Sequence, residues 1–317
     1  MALFLRNEDV QQCVTMDHML EAIESMLGHF GRGEAMNLTR RKINASGGTL
    51  SVMAGGLFYD GVMGVKTYTI IKGKYSFQVS LYDTDTGKLL CYTQANRLGH
   101  LRTGATTGIA VKHLSNPDSA TVGIIGTGNQ APTQLEAVCK VRNIKQIKAY
   151  SRTKERRDAF ARSMTEKMGI EVVSASTNQE AVTGCDIVIC IANTMEPVVA
   201  GEWLSPGSTL IAAGPTSWRA KEVDDATFDR ASKVFIDSPE QATIEVGDMA
   251  SAADRGAFQW SRLQELRHVV AGGTPGRDTA DQIILAKLMG TGVADVASAK
   301  LAYDRAKAAG IGLEMEW

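Results

Sequence analysis

The chain reads as an α/β protein in which a Rossmann-type, doubly wound parallel sheet is joined to a smaller α+β unit. Three observations predict this. Beyond Pro117 short apolar runs alternate with helical patterns, the form taken by a parallel sheet buried on both faces. Within that half, VGIIGTGNQA at 122–131 sets a glycine turn between a strand and a helix. Ahead of it, from 38 to 95, β-like runs are punctuated by glycines and by the turn TDTGK, the texture of an antiparallel meander.

Residues 7–31 are expected to form one amphipathic helix. Met16, Met19, Leu20, Ile23, Met26, Leu27 and Phe30 recur at helical spacing behind Thr15, and Gly31 and Gly33 close it. The segments LTRRKINASGG, TLSVMAGG, GVMGVKTYTI, SFQVSLYDTDTG and KLLCYTQA supply the meander. LRTGATTGIAVKHLSNPDS, rich in small residues, is a helix ended by Asn-Pro. The strands TVGIIG, QIKAYS, EVVSAS, DIVICIA, STLIAAG and KVFIDS then alternate with helices, two of which run to Arg142 and to Met168. A last helix, in VADVASAKLAYDRAKAAGIGL, returns to the first unit. The chain thus divides into residues 1–115 with 296–317, and a dinucleotide-type unit of 116–295.

Composition narrows the function classes. At 317 residues the chain exceeds what a single core usually supports. A formal net charge of −1 gives no global field toward nucleic acid or an acidic membrane, and KERRDAFAR reads as the solvated face of a helix. No apolar run approaches the ~18 residues of a membrane span. Acidic residues in MALFLRNEDV stand where a signal peptide would stay apolar, and the five cysteines show no CxxC spacing. A cytoplasmic protein with reduced thiols and no metal site is expected.

Gly126, Gly128 and Ala131 give the G-x-G-x-x-A form in the context that makes it informative, strand before and helix after. The first glycine permits the tight turn, the second admits pyrophosphate to the backbone, and the small third residue lets helix and strand pack. Gly126, Thr127, Gly128, Asn129 and Gln130 are therefore candidate phosphate contacts at a helix N-terminus. The second strand ends in Ser151, Arg152 and Thr153, with no acid before Glu155 to take a ribose 2′-hydroxyl. NADP(H) is favoured; Arg152 stacking on adenine with NAD(H) as cofactor is the alternative. Ile191, Ala192 and Asn193, at the end of DIVICIAN, fall where a nicotinamide should lie.

The motifs GVKTYT at 64–69, LRTGATTGIA at 101–110, GTGNQA at 126–131, the SRT tip, DIVICIANTMEPVV at 186–199 and GVADVASAKLAYDRA together resemble the ornithine cyclodeaminase and mu-crystallin family. The similarity runs in the same order over nearly the whole chain. It implies a Rossmann domain, a second domain for substrate binding and dimerisation, a homodimer, and activities such as ornithine cyclodeamination, alanine dehydrogenation and ketimine reduction to L-amino acids. Lys66 matches the family lysine beside the carbon that undergoes hydride transfer, and Arg102 matches the arginine that clamps the substrate carboxylate. A second carboxylate ligand falls in LTRRKI, on Arg40 by its spacing from Met53, with Arg41 as the other candidate. Two departures matter. Ser51 and Thr216 stand where ornithine cyclodeaminase carries a glutamate and an aspartate, and LAKLMG at 285–290 alters a further family segment.

Reducing an imine requires a nicotinamide, a cation for the substrate carboxylate, a proton donor and exclusion of water. Arginine's fork suits the second task, and a desolvated lysine the third. The loss of two carboxylates disfavours cyclodeamination, which must move protons to water or amine. The expected activity is NAD(P)H-dependent reduction of a small α-imino acid. Nine cations, Arg40, Arg41, Lys42, Lys66, Lys72, Lys74, Arg97, Arg102 and Arg219, could crowd one cleft, which would suit a dicarboxylic substrate such as iminosuccinate; a cyclic ketimine, or pyruvate with ammonia giving alanine, fits the sequence equally. A cyclodeaminase, or a mu-crystallin-like binding protein without turnover, are the alternatives.

Overall fold

The computed structural model describes residues 1–316, so the last residue of the expected 296–317 segment lies outside the described residues. Two compact units form. The first, a sheet-and-helix unit, takes residues 1–106, 270–272 and the chain from Gly290 onward. It opens with β1 (Ala2–Leu5), helix α1 (Asn7–Cys13) and helix α2 (Met16–Gly31). The expected single N-terminal helix is thus two. Thr15 is extended, with φ −99° and ψ 170°, and its hydroxyl accepts from His18 N, so a Thr cap replaces helix continuation.

The meander follows as β2 (Ala35–Ala45), β3 (Gly48–Leu57), β4 (Val62–Ile71), β5 (Lys74–Asp83) and β6 (Leu89–Gln94), each antiparallel to the next. Lys72 and Gly73, at φ 49° and 75°, make the two-residue turn between β4 and β5, where left-handed residues match the strand twist. β1 adds in parallel to β6, and a C-terminal strand, Leu313–Met315, adds antiparallel to β1.

The C-terminal helix, Gly292–Ala309, covers one face of this sheet. Its first turns, GVADVASA, are buried all round and carry only small or short side chains. Glycines admit them. A Cβ on Gly55 would lie 2.5 Å from Val293 Cα, one on Gly64 3.0 Å from Val296 Cγ2, and one on Gly292 2.4 Å from the Ala54 carbonyl oxygen. This packing draws residues 290–295 into the first unit, where the sequence pattern had assigned them to the second. The opposite face of the sheet is open, and Met36, Leu38, Ile43, Leu50, Met63 and Ile71 are exposed on it.

Helix α3 (Asn96–Leu114) begins ahead of the expected Leu101, so Arg97 and His100 are helical rather than in a loop. The division between the units falls within α3 at Thr106/Thr107. Its last two turns go with the second unit, where Arg142 donates to the carbonyls of Val111, Lys112, Ser115 and Asn116, and Arg277 to that of Leu114.

The second unit is a doubly wound parallel sheet of β7 (Thr121–Ile125), β8 (Gln146–Tyr150), β9 (Val172–Ser174), β10 (Ile187–Cys190), β11 (Thr209–Ala212), β12 (Lys233–Ile236), β13 (Leu263–Glu265) and β14 (Ile284–Lys287). Their order is β13-β12-β14-β11-β10-β7-β8-β9. Every pair is parallel. The order reverses direction between β7 and β10, which is where ligands bind in such sheets. Helices α4 (Ala131–Val141), α5 (Lys154–Met168) and α6 (Asn178–Val182) make the crossovers on the β7–β8–β9 side. β13 and β14 were not expected. At three and four residues they show no period, and β14 contains a lysine.

Candidate active site

Lys66 lies on β4, on the face toward the C-terminal helix. Met53 and Val79 flank it across the strands. Its side chain is nearly inaccessible, the residue being 2% exposed. Lys66 Nζ donates to Asp295 Oδ1 at 2.8 Å, and Arg102 Nε donates to the same oxygen at 2.9 Å. The close seating of the C-terminal helix on Gly55 and Gly64 places Asp295, in that helix's first turn, within reach of the strand lysine. Asp295 Oδ2 is buried and has no hydrogen-bond partner among the described residues. Phe77 and Tyr68 wall the lysine, with ring centroids 5.1 and 6.0 Å from Nζ.

Arg40 reaches the same place through a register shift. Leu38 pairs with Ala54, but Arg41 pairs with Val52, so Thr39 and Arg40 together oppose Met53. In a regular ladder residue 40 would share the open face with Leu38. The bulge turns it inward instead. Arg40 is 5% exposed, Nε lies 3.3 Å from Met53 Sδ, and Nη2 donates to the Gly290 carbonyl oxygen at 3.2 Å. Arg41 faces solvent on the open side. One extra residue in the strand therefore buries Arg40 and leaves Arg41 outside.

The electrostatics follow from this packing. Burial pushes the Lys66 amine down to about 8; Asp295 opposes that fall, while Arg102 and Arg40 add to it. For Asp295 burial favours the neutral acid, yet Arg102 and Lys66 outweigh it and hold the carboxyl below its ordinary value. Its position at a helix N-terminus acts in the same direction. Of the nine cations that the sequence could have gathered, only these three are buried. Arg41, Lys42, Lys72, Lys74 and Arg219 are exposed and Arg97 is half-buried.

In the Rossmann unit the glycine turn fits a dinucleotide phosphate. Gly126 has φ 104°, and a Cβ there would meet Ala192 N and the Ile191 carbonyl group at 2.8 Å. Gly126 N donates to the Tyr150 carbonyl oxygen, bringing the turn beside the tip of β8. A Cβ on Gly128 would meet nothing within 4 Å, which leaves open space in front of the backbone. Ala131 is fully buried at the start of α4. Gln130 Oε1 and both polar atoms of Gln134, at this helix start, are buried without a partner among the described residues. Asn129 is exposed. Thr127 Oγ1 donates to Ser151 Oγ at 2.8 Å, Arg157 Nη1 donates to the Ser151 carbonyl oxygen at 3.1 Å, and Arg152 and Thr153 are exposed. Ile191, Ala192 and Asn193 leave β10 beside this turn, Ile191 N donating to the Ile125 carbonyl oxygen.

Sequence reasoning missed Asp295, although GVADVASAK was among the recognised motifs. One aspartate in an alanine-rich helix was the available signal. Ser51 and Thr216 are where the departures were expected: Ser51 is fully buried on β3, two residues before Met53, and Thr216 lies in the loop after β11.

A glycine turn at the reversal point of a parallel sheet, in a chain that also buries three cations around one carboxylate, defines a nicotinamide-dependent oxidoreductase of the two-unit α/β type. The model of the Ornithine cyclodeaminase/mu-crystallin family matches residues 1–310, and the chain belongs to that family. It is 33% identical over 263 residues to a Delta(1)-pyrroline-2-carboxylate reductase of Bacillus cereus, covering 80% of this chain and 81% of that protein. The structure of Thermococcus litoralis Delta(1)-pyrroline-2-carboxylate reductase in complex with NADH and L-proline aligns with a TM-score of 0.94 at 31% identity, over 99% of this chain and 100% of that one. An archaeal alanine dehydrogenase dimer with bound NAD aligns with a TM-score of 0.93 at 28% identity, over 100% and 99%. No helix of the described residues is long and apolar enough to cross a membrane.

Asp295→Asn should cost about 3 kcal/mol of stability at pH 7, because it leaves buried cations without their counter-charge. Asp295 supports the Lys66 proton, so the lysine of the asparagine variant sheds it at lower pH, and the penalty should shrink as pH rises to about 8, where the wild-type lysine sheds its own. Urea unfolding of both proteins at pH 7 and pH 9 measures this.

Proposed function

We propose that this NAD(P)-dependent oxidoreductase reduces a small, monocarboxylic, cyclic α-imino acid, of the Δ1-pyrroline-2-carboxylate type, to the L-amino acid. The observation that carries the reading is the trio of Arg40, Lys66 and Arg102 buried with Asp295. When Lys66 is protonated, it and Arg102 set two positive charges against the single carboxylate of Asp295, and one substrate carboxylate on a guanidinium fork balances the remainder. The aromatic wall of Phe77 and Tyr68 beside Lys66 suits a ring better than a second carboxylate, and the exposed cations that suggested iminosuccinate are not gathered here. The pyrroline-2-carboxylate reductases among the relatives support the same substrate class.

When bound, the dinucleotide supplies the hydride. The chain's own part is to hold and to protonate. Arg40 and Arg102 orient the substrate by its carboxylate, and Lys66, as the ammonium, delivers a proton to the imine nitrogen so that the carbon becomes electrophilic. A lysine at about 8 is matched to that exchange near neutral pH, whereas an ordinary lysine would hold its proton too firmly. Asp295 fixes the direction of the Nζ–H bonds. With Ser51 and Thr216 at the two places where carboxylates would serve cyclodeamination, the proton transfers to water or amine lose their carriers.

For the cofactor, the tip of β8 carries Ser151, Arg152 and Thr153 and no acid that would repel a 2′-phosphate, which supports NADP(H). For assembly, the open face bearing Met36, Leu38, Ile43, Leu50, Met63 and Ile71 is an apolar surface of the kind a second copy of the chain covers, which supports a homodimer.

Lys66→Ala should lower kcat by roughly 10²–10⁴ while leaving dinucleotide affinity within a few-fold. In the wild-type protein kcat/KM for the imino acid should fall as pH rises through about 8, the acid form being the active one. Steady-state rates with Δ1-pyrroline-2-carboxylate across pH 6–10 test both, and strong residual activity of the alanine variant would remove the role. Arg152→Ala should weaken NADPH about tenfold more than NADH, the scale of one charged hydrogen bond; equal losses in fluorescence titrations would remove the preference. Leu38→Asp should convert dimer to monomer in sedimentation velocity, and an unchanged dimer would place the interface elsewhere.

A further inference from the structure

The Rossmann unit buries a second charge cluster that the reaction above leaves unused. Lys287, the last residue of β14, donates to Glu222 and, at 3.0 Å, to Asp248 Oδ2. None of the three is more than 3% exposed. Asp248 Oδ2 also accepts from Glu222 N at 3.1 Å, and Glu222 Oε1 accepts from Gly214 N at 2.9 Å. Burying three ionisable groups gains little stability over an apolar core, so the geometry they impose is the feature to explain.

That geometry appears in the backbone they touch. Gly214 follows β11, and a Cβ on it would lie 2.4 Å from the Ala192 carbonyl oxygen and 2.5 Å from Glu222 Oε1. On the other side of the same peptide segment, a Cβ on Gly126 would lie 2.8 Å from Ala192 N. Ala192 is therefore gripped between the glycine turn and Gly214, and Gly214 is held by Glu222.

We infer that Glu222, oriented by Lys287 and Asp248, is a positioning residue for the nicotinamide end of the dinucleotide site: it fixes Gly214 against Ala192 and so sets the ledge at 191–193. This rests on the reading that the glycine turn and that ledge hold the dinucleotide. Glu222 itself is fully buried and acts through Gly214. The adenosine end, toward the tip of β8, is independent of it. Glu222 lies above its ordinary value because of burial and Asp248, with Lys287 opposing; Lys287 is lowered by burial, but Asp248 and Glu222 more than offset this and hold it above its own. The lysine therefore stays cationic and keeps both carboxylates in place.

The test uses the full-length protein and two ligands, NADH and ADP-ribose, which lacks the nicotinamide, with affinities measured by calorimetry. Glu222→Ala should raise the Kd for NADH about tenfold, the scale of one lost hydrogen bond to a charged group, and move that for ADP-ribose by less than about twofold. Glu222→Gln should restore NADH affinity, because its amide oxygen still accepts from Gly214. ADP-ribose binding shows that the alanine variant is folded. Equal losses for both ligands would reduce the cluster to general stability and overturn the inference, as would NADH affinity unmoved in Glu222→Ala. A wild-type protein that binds neither these ligands nor NADPH would remove the dinucleotide reading itself and the inference with it.

Discussion

One carboxylate, that of Asp295, organises the sheet-and-helix unit. It is the only counter-charge hydrogen-bonded to Lys66 and Arg102 among the described residues, and all three are buried. Removing ions from water costs several kcal/mol each unless their partners are close and well directed, so the arrangement requires a helix that approaches the sheet closely enough for a short aspartate to reach a strand lysine. Gly55, Gly64 and Gly292 provide that approach, and the run of alanines, serine and valines in the C-terminal helix sustains it. The bulge at Thr39–Arg40 completes the group by turning a second guanidinium inward.

The two units bury lysine by opposite arithmetic. Lys66 meets one carboxylate and two guanidiniums, and its proton is held loosely. Lys287 meets two carboxylates, and its proton is held more firmly than in water. Both are nearly inaccessible to solvent, so desolvation acts alike on each and the surrounding charges decide the outcome. The contrast fits a division of tasks in which the first lysine must exchange a proton and the second only has to stay charged.

The proposed charge of the substrate rests on the same surroundings. The sequence contains enough lysine and arginine near the meander to suggest an anion-rich ligand. Strand alternation sends most of these side chains outward, and Asp295 subtracts from the charge that remains. A small cation surplus beside aromatic rings is what supports the proposed ligand with one carboxylate and an apolar body.

Much of this protein was legible in its sequence because the relevant physics is local. The Rossmann unit followed from apolar runs alternating with helices and from a glycine turn whose steric demands act within a few residues; Gly126, with φ 104°, shows that demand directly. Lys66 and Arg102 were reachable through the family resemblance. What lay beyond the sequence depended on contacts far apart in the chain. Asp295 stands 229 residues from Lys66, and no spacing rule joins them. Glu222 and Asp248 sit in segments with no recognisable motif, Lys287 in one that departs from the family pattern, and short strands such as β14 give no periodic signal. Arg40 is buried and Arg41 exposed only because the register of β2 on β3 shifts by one residue. Local sequence determined which elements form and which chemistry is available; tertiary structure decided which charges are buried together, because desolvation and pairing depend on packing between segments that local patterns do not connect.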